Sequence, residues 1–358
     1  MFFAQGNKKR KTDYNRRCED NRAIYLEKRG DFLFSKTKFP IEKQKIISLF
    51  HAAGIDGVIR TFPLGAGEFN TVYQVSTEDR EYVIKIAPAD DAPILTYEKG
   101  MMRAELRWYE QLREKTTIKV PTVYFEDFRR ILIPTDYFIM EKTPGTPMNQ
   151  MNFTAEEKAE SIRAVARMAA QMHHIKNDRF GYIQNRLFDN WYYALHSMVV
   201  DLIEDAKRKN RESKNGKRLL QVIEKHQAVL EKVPCRMVNF DLWEANLLCF
   251  RDQGKIEYAL VDPERTFWGD PIADFVAMEF MADLPQKKES LLLYNRLSET
   301  PILITQEERT RFTIMQGYLA LLMETEKHYR YTPFHFGWWR NKTVSALLYR
   351  KVLNAFFH

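Results

Sequence analysis

The hydrophobic pattern of this chain changes its period once, and that change constrains the fold more than any other feature. Residues 61–88 alternate β-branched or aromatic positions with polar ones and are broken by a glycine turn and a charged turn, which predicts three strands. Val120–Phe128 and Tyr137–Met140 predict two more strands. Beyond Thr143–Pro147, where two prolines flank a glycine, the pattern becomes helical. We therefore expect an α+β, bilobal fold with a small β-rich N-terminal lobe and a larger, mainly helical C-terminal lobe.

The helical segments are recognised by apolar residues at spacings of three and four. Thr154 followed by Glu157 is a capping-box signature that begins one of these helices. The other expected helices are Ile41–Ala53, Tyr97–Arg113, Asp189–Lys209, Arg218–Lys232 and the segments after Pro271, which are interrupted near Pro301 and at Thr332–Trp339.

Length and charge suggest two lobes behind a basic extension. The chain has 358 residues, enough for more than one hydrophobic core. Of the net charge of +7, residues 1–35 contribute +4, because they hold nine Lys or Arg and five Asp or Glu. We expect a flexible basic extension at 1–35, an N-terminal lobe at 36–143 and a C-terminal lobe at 144–358. A basic tail on a nearly balanced body favours a solvated tail over one that binds RNA or acidic lipid.

Membrane insertion and secretion are not expected. No run of about 18 consecutive apolar residues occurs, and the opening MFFAQGNKKRKTD places basic residues after a very short apolar start. Cys18, Cys235 and Cys249 show no metal-ligand spacing and suggest reduced thiols. We expect a cytoplasmic protein in which Cys235 and Cys249 pack in the interior, with neither nucleic acid nor a membrane as a partner.

The segment Val238–Asp262 carries the strongest chemical signal. Asp241 and Asn246 stand five residues apart between apolar runs, and Asp262 closes a second apolar run. Carboxylate and amide oxygens are the ligands and proton acceptors that magnesium-dependent phosphoryl transfer requires. The same spacing separates the base aspartate from the magnesium-binding asparagine in a kinase catalytic loop. The alternative is structural, with Asp241 capping a helix and Asp262 beginning a turn before Pro263.

Between these residues the sequence predicts a β-hairpin. Leu247–Phe250 and Ile256–Val261 are strand-like and flank a five-residue polar turn, Arg251–Lys255. Such a hairpin returns Asp262 to a position beside Asn246. These two residues are therefore the candidate metal ligands.

Upstream, a glycine turn and a lysine in an apolar run occur in the order expected of a nucleotide-binding lobe. Gly65, Gly67 and Asn70 lie between two strands, as in the flap over ATP phosphates, although a plain hairpin turn explains them when they are taken alone. The segment lacks the pattern of a P-loop. Lys85 is a candidate for binding the α/β phosphates, and the alternative is a solvated lysine at a sheet edge.

Two further groups complete the candidate nucleotide site. Glu98 or Glu105 on the next helix could hold that lysine in place, and we prefer Glu105 because it precedes the apolar LRWYEQL stretch. Backbone groups of Met140, Glu141 and Lys142, at the connector between the predicted lobes, could hydrogen-bond the edge of an adenine ring. ATP and Mg²⁺ are therefore the expected cofactors.

Together these motifs resemble the aminoglycoside phosphotransferase and choline kinase family, the small-molecule branch of the protein-kinase-like fold. NFDLWEANLL is similar to the family's H-G-D-L-H/W-x-x-N-L-L motif, and LVDPERTFWGDPIADF to its I-D-x-E-x-x-x-x-G-D-P-x-x-D segment. The similarity runs over about residues 60–275. It implies a bilobal protein-kinase-like fold and phosphoryl transfer to a small molecule.

The resemblance also implies residue roles, carried over position by position. Asp241 would be the catalytic aspartate, and Asp274 would anchor the catalytic loop. The remaining implied roles are magnesium binding by Asn246 and Asp262 and phosphate binding by the ion pair of Lys85 and Glu105.

The chain departs from the family pattern at the catalytic loop. Asn239 and Phe240 replace the usual His-Gly, so the hydrogen bonds that position the loop must differ. A third glycine is absent from the flap. Trp243 occupies the position of the second His in the motif. A tryptophan there resembles the sequence of ketosamine-kinase-like members.

The expected activity is ATP- and magnesium-dependent phosphorylation of a hydroxyl on a small molecule such as a sugar, amino alcohol, ketosamine or antibiotic. The resemblance places the acceptor site in Phe180–Lys232 and in the helices after Pro271. Residues 281–330 hold seven acidic and seven basic side chains, which disfavours a polycationic aminoglycoside. Aromatic residues in these regions could stack on a substrate or simply pack in the interior; they are Trp191, Tyr192, Tyr193, Trp338 and Trp339.

Three competing functions remain open from the sequence. The altered Asn239–Phe240 pair allows a nucleotide-binding scaffold without transfer activity. Protein kinase activity is disfavoured because the H-R-D, D-F-G and A-P-E triplets are absent. RNA binding would require a salt-sensitive affinity that is lost on deleting residues 1–35.

His173 and His174 have no partners at metal-ligand spacing and are interpreted as structural.

Overall fold

The computed structural model of the protein describes residues 35–64 and 67–357, so the predicted extension at 1–35 lies almost wholly outside the described residues. The chain forms two compact units. The first comprises the described part of Met1–Ala92 together with Phe125–Ile139, and the second comprises Pro93–Tyr124 and Met140–His358. This division differs from the predicted lobes at 36–143 and 144–358, which stay a prediction.

A five-stranded sheet with the strand order β1-β2-β3-β5-β4 forms the basis of the first unit. Its strands are β1 (Arg60–Pro63), β2 (Thr71–Ser76), β3 (Glu81–Ile86), β4 (Val123–Asp127) and β5 (Tyr137–Glu141). β1, β2 and β3 are antiparallel neighbours, and Val72 lies opposite Lys85. The predicted succession of strand, glycine turn, strand, charged turn and strand is therefore confirmed.

Helix α1 (Lys43–Ala52) supplies part of the hydrophobic core of the first unit. Ile46, Leu49 and Phe50 are buried on one side of it, because residues three and four apart project from the same face. They join a buried cluster with sheet residues that include Val75, Ile84, Ile86 and Ile139. Burying an aliphatic or aromatic side chain contributes about 1.5–3 kcal/mol, so the sheet depends on α1 for its stability.

The second unit is mainly helical, as predicted. Its helices are α2 (Met101–Lys115), α3 (Ala155–His173), α4 (Trp191–Arg208), α5 (Lys214–Lys225), α6 (Gln227–Leu230), α7 (Asp274–Ala277), α8 (Lys288–Leu297), α9 (Gln306–Arg330) and α10 (Phe336–Phe356). Short 3-10 helices occupy Thr96–Glu98, Met148–Gln150, Glu244–Asn246, Pro271–Ala273 and Leu284–Gln286. The strands are β6 (Thr146–Pro147), β7 (Arg236–Val238), β8 (Leu247–Asp252), β9 (Lys255–Leu260) and β10 (Phe267–Gly269), which pair in the orders β6-β8-β9 and β10-β7.

Local signals in the sequence define the start of α3 better than the start of α2. The N–H of Glu157 donates to Oγ1 of Thr154 (3.2 Å), and the N–H of Thr154 donates to Oε2 of Glu157 (2.9 Å). This is the predicted capping box, which satisfies two N–H groups that the helix itself leaves unpaired. Helix α2 begins at Met101, later than expected, because Gly100 before it takes a left-handed conformation with φ +73°.

The β8-β9 hairpin differs from the prediction at its turn. The strands extend to Asp252 and Lys255, so the turn consists of Gln253 and Gly254 and not of the five residues Arg251–Lys255. Both turn residues have positive φ, +46° and +79°, which is the requirement of a type I′ hairpin turn. The five-residue turn was wrong because polar residues also occupy the exposed ends of paired strands.

The aromatic residues considered for substrate stacking differ in burial. Trp191 is fully buried and stacks on Phe267 with ring centroids 5.5 Å apart, so it packs in the interior. Tyr193 and Trp339 are about half exposed, at 51% and 52%. Helix α10 begins at Phe336 and contains Trp339, so the predicted interruption of the helical region ends earlier than expected.

Cys235 and Cys249 are buried free thiols, as expected, and Cys18 lies outside the described residues. Cys249 is on β8 opposite Tyr258 of β9. Burial raises the pKa of Cys235 to about 12 and that of Cys249 to about 11. Among the described residues, no helix combines the length and the apolar character needed to cross a bilayer.

Candidate active site

The predicted catalytic loop, residues 239–246 between β7 and β8, is anchored by a buried carboxylate. Oδ1 of Asp274 accepts from the N–H of Phe240 (2.6 Å), and Oδ2 accepts from the N–H of Asn239 (3.3 Å). Nε2 of His173 donates to the same Oδ2 (3.0 Å), and its Nδ1 accepts from the hydroxyl of Tyr294 (2.8 Å). The side chains of Asp274 and His173 are completely buried. The anchoring role implied for Asp274 is therefore present, and His173 is structural, as expected.

The Asn-Phe pair that replaces His-Gly supplies its own contacts to the loop. Phe240 has φ +57°, a left-handed conformation that costs a residue other than glycine about 1–2 kcal/mol. Its buried ring packs on Phe267 and Tyr318, with centroid distances of 5.5 and 5.4 Å, and this packing offsets the strain. Oδ1 of Asn239 accepts from the N–H of Asp241 (3.0 Å). The departure from the family motif thus leaves Asp241 held in place.

Asp241 presents a carboxylate whose two oxygens have different partners. Oδ2 accepts from Nδ2 of Asn246 (2.9 Å), which also lies 3.2 Å from the carbonyl oxygen of Asp241. Oδ1 lies 3.7 Å from Nη1 of Arg265. Burial raises the pKa of Asp241, whereas the Arg265 charge and the Asn246 hydrogen bond act in the opposite direction. The side chain keeps 26% of its surface exposed, so it is both held and accessible to a ligand.

Three carboxylates meet at the end of the β8-β9 hairpin. Oxygen atoms of Glu105, Asp262 and Glu264 all lie within 4.8 Å of one another. The N–H of Asp262 donates to the hydroxyl of Tyr109, on the same helix as Glu105 (3.0 Å). The residue before Asp262 donates its N–H to the carbonyl oxygen of Asn246 (3.0 Å), which ties the catalytic loop to this cluster. Hard oxygen donors so close together fit a divalent cation such as Mg²⁺.

The structure separates the two glutamates that the sequence offered as partners for the phosphate-binding lysine. Glu98 is buried and its carboxylate forms an ion pair with Arg330. The carboxylate of Glu105 lies beside those of Asp262 and Glu264. Sequence reasoning missed Glu264, although a carboxylate two residues after a predicted metal ligand was a usable signal.

The predicted phosphate-binding residues belong to the first unit. Gly67 is exposed in the loop between β1 and β2, and Gly65 lies outside the described residues. Asn70 is buried, and its carbonyl oxygen accepts from Nζ of Lys38 (2.5 Å). Lys85 lies on β3 with 1% exposure, so the alternative of a solvated edge lysine is wrong.

The residues predicted to meet adenine lie at and just after the end of β5. Met140 is buried, and the N–H of Glu141 donates to the carbonyl oxygen of Thr122 (2.8 Å). The N–H of Glu141 is therefore already paired within the protein, which removes it from the backbone groups predicted to hydrogen-bond adenine. Nζ of Lys142 donates to the carbonyl oxygen of Thr143 (3.2 Å).

A cavity of about 320 Å³ in the second unit adjoins the catalytic loop. Tyr318 lines it and packs on Phe240 of that loop, and its hydroxyl lies 3.0 Å from the hydroxyl of Tyr182, which also lines the cavity. Half-buried Asp201, on α4, lines it too and has no hydrogen bond or ion pair with any residue that the structure describes. Burial and the charge of Asp205 raise the pKa of Asp201. A carboxylate of this kind is suited to a ligand.

Solved structures share this fold at low sequence identity. A candidate fructosamine-3-kinase from Haemophilus somnus 129PT superposes with a TM-score of 0.63 at 18% identity, covering 87% of this chain and 97% of that chain. Aminoglycoside phosphotransferase APH(2'')-Ib with ADP bound gives 0.56 at 16% identity, covering 89% and 100%. A microcompartment-associated aminopropanol kinase gives 0.56 at 16% identity, covering 84% and 94%. The predicted protein-kinase-like fold is therefore confirmed.

Sequence comparison identifies the family. No curated protein matches this chain. A sequence model described as the phosphotransferase enzyme family matches residues 61–293, a span that contains the catalytic loop, the carboxylate cluster and Lys85. Because this match covers well over half of the chain, the protein belongs to the phosphotransferase enzyme family.

Proposed function

We propose that the protein uses ATP and Mg²⁺ to phosphorylate a hydroxyl group of a small molecule. The observation that carries this proposal is the placement of Asp241, whose carboxylate is held by Asn246 and Arg265 and still keeps exposed surface. A carboxylate held in this way suits a general base that accepts a proton from an acceptor hydroxyl. Membership of a phosphotransferase family supports the transfer reaction, and the nucleotide and the metal are part of the proposal.

We propose for the nucleotide the residue roles that the family resemblance implies. Lys85 neutralises charge on the phosphates, and Glu105 is its proposed partner or a neighbour of the metal. Asn246 and Asp262 are the proposed magnesium ligands, to which the carboxylate cluster adds Glu264. Magnesium held by these residues would supply positive charge that offsets the negative charge developing on the phosphates during transfer. The residues proposed to cover the phosphates are Gly65, Gly67 and Asn70, and those proposed to meet adenine are Met140, Glu141 and Lys142.

Asp241 acts on the acceptor. It orients the acceptor hydroxyl and takes its proton while the hydroxyl oxygen forms a bond to the γ-phosphorus of ATP. The bond from that phosphorus to the β–γ bridging oxygen breaks, and ADP leaves with this oxygen. Because the transition state is loose, positioning and charge stabilisation supply most of the rate enhancement.

The cavity beside the catalytic loop is the proposed acceptor site. Its volume of about 320 Å³ suits a small molecule, and it lies partly within the predicted acceptor segment Phe180–Lys232. Asp201 would pair with a protonated amine of the acceptor, while Arg186 also lines the cavity and makes its charge mixed. A compact acceptor with one amine and at least one hydroxyl therefore fits better than a polycationic antibiotic.

A panel of amino alcohols, ketosamines, sugars and aminoglycosides, scored for magnesium-dependent ADP release, tests this function. We expect release with at least one hydroxyl compound. Asp241→Ala should lower turnover by roughly two orders of magnitude, because it deletes the positioned base, while ATP binding persists. Unchanged turnover in that variant would exclude Asp241 as the base. ATP binding without transfer to any compound would favour the nucleotide-binding scaffold.

A further inference from the structure

The cation that pairs with Asp241 comes from outside the catalytic loop. Residues 238–250, which include the loop, contain no lysine or arginine. Arg265 follows the β8-β9 hairpin, and its Nη1 lies 3.7 Å from Oδ1 of Asp241. Because Asn246 holds the other oxygen, an amide and a guanidinium flank the carboxylate. The orientation of Asp241 therefore depends on a separate segment of the chain.

Arg265 is itself held by Glu326 of helix α9. Its Nη2 lies 3.2 and 3.3 Å from Oε1 and Oε2 of Glu326. Arg330, one helical turn further on, lies 3.5 Å from Glu326 and forms the ion pair with Glu98. Glu98, Glu326 and Arg330 are all buried. Starting from Asp241, the side chains therefore alternate in charge across four segments of the second unit.

The distances show which carboxylate holds Arg265 more closely. Nη2 is 3.2 Å from Glu326, whereas Nη1 is 3.7 Å from Asp241. A guanidinium can bind one carboxylate through two parallel hydrogen bonds, and such a pair on Asp241 would occupy the oxygens that must receive the acceptor proton. Contact with Glu326 leaves Arg265 close enough to orient Asp241 without binding it in this way.

We propose that Glu326 is a positioning residue that sets the orientation of Asp241 through Arg265. This inference rests on the proposed function, in which Asp241 is the base. Arg265 keeps the carboxylate from rotating away from the acceptor hydroxyl, and Glu326 keeps Arg265 from closing onto that carboxylate. Arg330 holds Glu326 in turn.

Steady-state kinetics of Arg265→Gln, Glu326→Gln and the double variant test this proposal in the full chain, with an acceptor from the panel. Each single variant should lower kcat about tenfold or more and change KM for ATP less than about threefold, because the lost interaction acts on the chemical step. The double variant should be no slower than Arg265→Gln, since Glu326 acts only through Arg265. Arg251→Gln, which removes an exposed ion pair with Glu157, is the matched control and should leave kcat unchanged.

Arg265→Lys adds a readout that a purely structural role would not give. Lysine keeps the charge but lacks the planar fork, so kcat should recover only in part relative to Arg265→Gln. Losses that multiply in the double variant would overturn the proposal. A change confined to KM for the acceptor would also overturn it, because Arg265 would then be a substrate-binding residue.

The coupling can also be measured without turnover. Urea unfolding of Asp241→Asn, Arg265→Gln and their double variant should give midpoint shifts that do not add, and the same holds for Arg265→Gln with Glu326→Gln. Additive shifts in both sets overturn the proposal even in an active enzyme. If the wild type releases no ADP with any acceptor, the proposed function fails, whereas non-additive shifts still support the coupling of Arg265 to both Asp241 and Glu326.

Discussion

Asp274 anchors the predicted catalytic loop and Asp241 belongs to it, but the two carboxylates differ in how completely the protein surrounds them. The Asp274 side chain is fully buried, and its oxygens accept from two backbone N–H groups and from His173. Asp241 keeps 26% exposure, with one amide donor and a guanidinium at 3.7 Å. A fully buried carboxylate whose oxygens all accept hydrogen bonds holds the backbone around it in place. A partly exposed carboxylate with one loosely held oxygen can take part in chemistry.

The comparison separates stability from activity. Substitutions of Asp274 or of the residues that hydrogen-bond it should mainly change the free energy of unfolding, because they leave buried polar groups without partners. Substitutions at Asp241 should mainly change turnover.

The largest effect is expected for Asp274→Ala. It leaves the N–H groups of Asn239 and Phe240 without their acceptor, at about 1–3 kcal/mol each, so the free energy of unfolding should fall by about 3 kcal/mol or more. Urea denaturation measures this change. Asp189→Ala, at an exposed carboxylate 3.5 Å from Nε of Arg179, is the control and should cost less than about 1 kcal/mol. Equal effects of the two substitutions would contradict the anchoring role.

Asp241→Asn should have the opposite profile. It preserves the shape of the side chain and removes the proposed base, so turnover should fall about 100-fold. The free energy of unfolding should change by less than about 1 kcal/mol, as for most substitutions at accessible positions. Initial-rate kinetics and urea denaturation on one preparation measure both quantities. A large loss of stability with normal turnover would reverse the comparison.

Phe240 directly precedes Asp241 in the chain and donates its N–H to Asp274, and a smaller effect is expected there. Its left-handed backbone favours glycine, which the family pattern carries at this position. Phe240→Gly should therefore be more stable than Phe240→Ala by about 1–2 kcal/mol, although both lose the packing of the ring. Thermal unfolding of the two variants tests this order, and a less stable glycine variant would refute the strain argument.

The smallest effect is expected for Tyr294→Phe. It removes the hydroxyl that donates to Nδ1 of His173. His173 is connected to the backbone of the loop only through Asp274, so the effect on the loop is indirect. The cost should be about 1 kcal/mol of unfolding free energy, the usual net value of one hydrogen bond, with turnover nearly unchanged. Denaturation and rate measurements check both, and a tenfold loss of turnover would show that His173 also affects the base.

The sequence predicted the parts of the fold and the site that depend on short spacings. The capping box of Thr154 and Glu157 joins residues three apart, and Asp241 and Asn246 are five apart, so a local pattern could reveal both. The neighbouring order of β1, β2 and β3 also follows the predicted succession of strands and turns, whereas the sequence did not predict that β5 lies beside β3. The hairpin turn was misjudged because polarity alone does not distinguish a turn from the end of an exposed strand.

The supporting contacts of the site could not be predicted in this way. Arg265 and Glu326 are 61 residues apart, and His173 and Asp274 are 101 apart. Such pairs depend on how the helices pack, which no periodicity in one sequence encodes. Glu98 and Glu105 show the same limit, because only packing decides which one pairs with Arg330.

The burial of Cys249 has a consequence for measuring motion. It lies on β8, the strand that follows Asn246, and burial raises the pKa of its thiol to about 11. At neutral pH the group is both protonated and shielded, so an alkylating reagent modifies it only when the hairpin opens. Peptide-resolved mass spectrometry would distinguish it from the other thiols. The alkylation rate of Cys249 would then report how often this hairpin opens, before and after a ligand is added, without any engineered label.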